Sequence, residues 1–388
     1  MKGKFFYTLS RALTVSALAA MLTPALGIAD SIMFQENLER TGVYDGNGPE
    51  EDPELIWKFN TGSPVIGTPL VYGGMVYFVN FEGGIYALGQ EDGSVVWEKQ
   101  LEEQPSFEIA LNENSLLVGR RFSKDDDESY LVALDRLSGE EIWRFEPDDP
   151  SGMDYPTIYN DMIFLVSMSS NLFSIDHEQG NEIWRLPISG GSRPPLISDN
   201  ILYIQDASQA IFALSPQTGE ELWSHPSLSD NDRYSSTPAI DECCIYVMEF
   251  NQGSGSIVRI DKYTGNKEAQ FPTEFRSASS ISLADNIAFF GDDGEGHSGA
   301  HGYMNAMNTE SGELIWRFET GGFVRGAASI AGGTVYFGSH DHYMYAVDRH
   351  TGEMKWRYET GAGIASTPAI VDGRLYFGSI DGHVYVLE

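Results

Sequence analysis

Ala346-Val347-Asp348-Arg349-His350-Thr351-Gly352-Glu353-Met354-Lys355-Trp356 carries the logic of the whole chain. Apolar Ala346 and Val347 close one extended run, and Asp348 to Gly352 reads as a tight turn. Glu353 to Tyr358 resumes a strand centred on an indole. The Gly four residues ahead of the Trp recurs as Gly93, Gly139, Gly180, Gly219, Gly265, Gly312 and Gly352.

The seven Trp residues are Trp57, Trp97, Trp143, Trp184, Trp223, Trp316 and Trp356, spaced 40, 46, 41, 39, 93 and 40 apart. The gap of 93 is two periods with Ala269 in the missing place. Trp57 alone lacks the preceding Gly. Within one unit, residues 364 to 371, 375 to 379 and 383 to 387 read as three strands, separated by Asp372-Gly373 and Asp381-Gly382. A fourth strand follows the Thr-Gly turn. Four antiparallel strands in a period of about 40 to 47 residues describe a propeller blade.

Eight fourth strands and eight three-strand sets can be counted. The chain starts on a fourth strand and ends on a third, so the Trp57 strand is expected to complete the blade built from residues 362 to 388. The reading is all-β: one eight-bladed β-propeller of four-stranded antiparallel blades over residues 53–388, closed by both ends, after a lead-in at 30–52. A Trp between blades buries a large apolar area. Ala269 therefore predicts a looser seam beside the fifth and sixth blades.

The 388 residues carry a formal charge of −33, with 57 acidic side chains against 24 basic ones. Such a field repels phosphate backbones, which argues against nucleic acid as partner. Only eight of the basic residues are Lys, a composition suited to salty surroundings. Residues 1–29 read as a signal peptide: Lys2, Lys4 and Arg11, then an apolar core from Ala12 to Leu22, then small residues up to Ala29. The expected location is exported, in the periplasm or at the cell surface. No Cys follows the apolar core, so no lipid anchor is expected, and no later stretch suits a transmembrane helix.

The phrase Ala-x-Asp-x-x-Thr-Gly-x-x-x-Trp resembles the repeat of the PQQ-like, quinoprotein-type propellers. Met33-Phe34, Arg40-Thr41-Gly42 and Pro53-Glu54-Leu55-Ile56-Trp57 are similar to the lead-in of exported members. The likeness covers residues 31 to 388. It implies that each Trp docks between neighbouring blades. It also implies one of two uses: a PQQ-dependent dehydrogenase, or a BamB-like periplasmic scaffold in outer-membrane β-barrel assembly.

A quinone site of that family needs a free Trp face, a vicinal disulfide above it and a Ca²⁺ beside it. All seven Trp are used by the repeat. Cys243-Cys244 is a possible vicinal disulfide in an exported chain. It aligns with Gly373-Arg374 on a first hairpin turn, opposite the family's cofactor face. No PQQ is expected. Five His fall in turns between second and third strands, among them His297, His301, His340 and His342. With Asp292 they form a candidate divalent-metal cluster. Lys124 to Glu128 lacks the alternating donors of a Ca²⁺ loop. No Gly-x-Ser-x-Gly elbow or Walker loop occurs.

Against so acidic a background, Arg193, Arg233 and Arg325 stand out in loops leading into first strands. Tyr234, Phe323 and Val324 beside them complete a composition favoured at protein interfaces. The expectation is a monomeric, non-enzymatic scaffold whose partners are proteins, the barrel assembly machine included. A PQQ-dependent dehydrogenase and a metal- or ligand-binding surface sensor are the alternatives.

Overall fold

The computed structural model describes residues 32–101, 104–120, 129–148, 152–167, 171–189, 193–226, 236–251, 254–274, 279–294 and 301–388. Blade one contains Leu70–Tyr72, Met75–Val79, Gly84–Gly89 and Val95–Gln100, hydrogen-bonded in that order from axis to rim. Blades two to seven repeat this order through their outer strands Glu141–Phe145, Glu182–Pro187, Glu221–His225, Lys267–Thr273, Leu314–Thr320 and Met354–Glu359. The eighth blade pairs Ala369–Val371, Arg374–Gly378 and His383–Leu387 with Leu55–Asn60, as the repeat count demands. The fold is an eight-bladed β-propeller.

Alternation explains which strands are buried. Inner and middle strands have both faces covered by neighbouring blades and read as near-continuous apolar runs, such as Met75–Val79 and Thr334–Gly338. Outer strands have one wet edge and bury mainly the indole. Six of the seven Trp rings lie over the Gly of the next blade's turn, among them Trp57 on Gly93, Trp223 on Gly265 and Trp316 on Gly352. At Gly265 (φ +70°) an added Cβ would lie 2.4 Å from the Trp223 ring. That turn therefore needs Gly for its left-handed backbone and for the ring above it.

The indole Nε1–H donates to a carbonyl in the same turn: Trp97 to Arg136 (2.8 Å), Trp223 to Lys262 (3.1 Å) and Trp316 to Arg349 (2.8 Å). The Tyr77 and Tyr203 hydroxyls donate to the same Arg136 and Lys262 carbonyls.

The seam expected to be loose at Ala269 is filled. Phe271, two residues further on, lays its ring on Gly312, and Arg259 donates to the Thr309 carbonyl at 2.9 Å. Two side chains share what one indole does elsewhere. Phe271→Ala is expected to lower unfolding free energy by about 2–3 kcal/mol, measured by denaturant titration. A loss below about 0.5 kcal/mol would mean that Arg259 alone holds this seam.

The lead-in threads the channel. Carbonyls of Ile32, Leu38, Glu39, Thr41 and Gly42 accept bonds from the inner strands of blades two, four, five, six and seven. Val43–Tyr44 then adds a parallel strand to Ser329–Ala331. Beyond it, the Pro49 carbonyl accepts from both Trp356 (2.7 Å) and Tyr336 (3.1 Å). This explains why Trp57 has no Gly before it. Under Trp356 the lead-in takes the place that a repeat turn has in other seams.

Candidate functional site

An antiparallel blade sends its turns to two faces. First hairpins and third-to-fourth turns share the lower face. Loops into first strands and second-to-third turns share the upper face, as the bonds from His340 N to Phe323 O (2.9 Å) and from Val65 N to Ser379 O (3.1 Å) record. Cys243 and Cys244 are bonded to each other on the first hairpin of blade five, on the lower face. Asp241 Oδ1 accepts from both of their backbone N–H groups, and Tyr246 donates to its other oxygen at 2.8 Å.

On the upper face, the Arg325 guanidinium lies 4.3 Å from the Phe323 ring and 3.3 Å from Asp293. Arg325 is exposed, while Asp293 is buried. Phe323 meets His340 edge-on at 6.0 Å. Burial, with Arg325 nearby, holds the His340 imidazole below its usual pKa. Val324 is fully buried against Gly291, so it belongs to the core rather than to a contact surface. A loop residue between two outward side chains points inward by alternation. Arg193 is half-buried on the axis side of blade four. Arg233 and Tyr234 lie outside the described residues.

Among the described residues, Asp292, His301, His340 and His342 are not brought together as ligands. Asp292 is 1% exposed, accepts from Asn305 at 2.9 Å and is pushed up to about 6 by burial. His301 pairs with Glu319 at 3.0 Å, both exposed. His342 takes a left-handed turn conformation, φ 80°, as Gly382 does in the next blade. Among the described residues, the one group with ligand atoms close enough to share an ion is Asp241, Cys243 and Cys244. Its sulfurs are spent on each other. His297 and the Lys124–Glu128 loop lie outside the described residues.

Two features stand outside the repeat pattern. Phe81 and Phe107, from neighbouring blades, stack 5.7 Å apart on the upper face, and Phe81 is 45% exposed. Arg40 of the lead-in is 1% exposed on the axis. It donates to Phe34 O and to the Thr157 hydroxyl (2.8 Å), and desolvation lowers it to about 10. Near it, burial pushes the Glu108 carboxyl up to about 8, against the pull of Thr68 and Arg40. Their register is singular, so the repeat pattern cannot flag them.

Every Trp ring is engaged in a seam, the disulfide lies on the lower face, and a cavity of about 160 Å³ lies on the axis above Phe34. Among the described residues no helix is long and apolar enough to cross a membrane.

The sequence profile of the family described as outer membrane protein assembly factor BamB matches residues 50–126, 127–288 and 300–388. BamB of Kangiella koreensis is 27% identical over 144 residues, which cover 34% of this chain and 32% of that protein. The chain thus spans about a third of the length of the curated relatives it matches. The crystal structure of BamB from Moraxella catarrhalis superposes with a TM-score of 0.70 at 18% identity, over 87% of this chain and 99% of that one. A europium-containing methanol dehydrogenase superposes at 0.72 and 14%, over 92% and 98%. At these identities the superpositions speak to the fold, which scaffolds and dehydrogenases share. The profile spans most of the chain, and with every indole bound into the ring the protein belongs to the BamB family of outer membrane assembly factors.

Proposed function

We propose that the protein is an exported, non-enzymatic scaffold that works as BamB does in outer-membrane β-barrel assembly, binding protein partners through its upper face. What carries the reading is the pairing of a rigid ring with exposed aromatic and Arg groups on one face. Arg325 over Phe323 and the Phe81–Phe107 stack are the kind of anchors that dominate interfaces. The Asp293 partner holds Arg325 in place and lowers its ordering cost on binding.

Arg325→Glu is expected to cut capture of envelope partners in a pulldown about tenfold or more, with an unchanged circular dichroism spectrum. Phe81→Ala is expected to weaken it as well. Unchanged capture by both variants would retire this face. Dye reduction with alcohols or sugars after addition of PQQ and Ca²⁺ would overturn the non-enzymatic reading.

A further inference from the structure

On the axis, between the upper face and the lead-in, lies a cavity of about 160 Å³. Residues of blades two to eight wall it, and Phe34 floors it. Among the described lining residues, Arg193 and Arg325 bear guanidinium groups and Glu108 alone is acidic. Beneath the floor lies the buried Arg40, 6.0 Å from the Phe34 ring.

Two lining groups are incomplete. Ser236 is 2% exposed, and its hydroxyl has no hydrogen-bond partner. Glu108 Oε2 has none either. A buried polar atom left unpaired costs about 1–3 kcal/mol, which a polar guest would recover. The bonds from Arg325 to Asp293 engage Nε and Nη2 at 3.3 and 3.4 Å, long for a charge-assisted pair.

Size and charge select the guest. At about 30 Å³ per water the space equals about five waters, enough for a short organic acid. Two guanidinium groups favour a planar carboxylate. A dianion would meet the field of a chain of net charge −33. With Glu108 pushed up to about 8, its carboxyl is protonated at neutral pH and donates rather than repels.

We propose that this axial cavity binds a small monocarboxylate, its oxygens on Arg193, Arg325 and the Ser236 hydroxyl and its short chain over Phe34. The site shares Arg325 with the proposed partner face, and the titration below reads it on the chain alone, without any partner.

Isothermal titration of the full chain with sodium acetate and sodium butyrate tests this, with sodium chloride and inorganic phosphate as controls. Saturable binding of one of the acids is expected, with Kd raised about tenfold or more in Arg193→Met and Arg325→Met and a smaller rise in Ser236→Ala. Should one Arg variant fail to fold, the other and Ser236→Ala carry the test. The proposal is overturned by no saturable binding of either acid, by equal binding of chloride or phosphate, or by an unchanged Kd in the folded variants.

Discussion

Trp356→Ala is expected to lower unfolding free energy by about 3–5 kcal/mol, the range for deleting a large aromatic side chain from a packed core. Trp356 is 2% exposed, the most buried of the seven indoles. It packs on Tyr336 with ring centroids 5.9 Å apart, and both donate to the Pro49 carbonyl. Truncation opens a cavity and loosens the lead-in beside the strand that closes the ring. Trp184→Ala is the control, because its ring is only half-buried and its acceptor, Pro216 O, belongs to an ordinary repeat turn. Guanidinium titrations of both variants should rank Trp356 as the costlier. Equal losses would mean that the lead-in adds nothing to that seam.

Glu108→Gln is expected to stabilise the protein at alkaline pH. Burial raises the Glu108 pKa from 4.5 to about 8, so the folded state keeps a proton that the unfolded chain has released. The parent therefore loses stability as pH rises from about 4.5 towards 8, and the loss is complete above that. Gln cannot ionise and escapes it. Parent and variant should unfold alike near pH 4, and at pH 9 the variant should be more stable by about 2–4 kcal/mol, allowing for water at the cavity mouth. Urea titrations at both pH values check this. A difference that does not change with pH would show that Glu108 ionises freely in the folded state.

Much of the architecture was legible because one physical constraint repeats. Six of the eight seams take an indole, a Gly beneath it and a carbonyl to receive its N–H, so Trp, Gly and period appear together. Eight units and the closing role of the Trp57 strand followed from that spacing. The Ala269 seam was misjudged because compensation came from off-register residues, Phe271 and Arg259. Val324 looked like a surface anchor beside Arg325, although alternation turns it into the core. The His-rich turns share a face, yet His301 and His342 are taken up by an ion pair and a turn. The path of the lead-in was invisible. Its backbone bonds reach five different blades at unequal spacings, and a segment whose contacts do not repeat has no period to read.

The eighth blade joins residues made first to residues made last: Leu55 lies opposite Leu387 and Asn60 opposite His383. During synthesis the early strand must wait, its edge unsatisfied, until the late strands have emerged. Such an interval exposes a sticky ribbon to whatever is nearby. A cell that makes this protein therefore has reason to shelter that early strand, and the speed of chain growth sets how long the shelter must last.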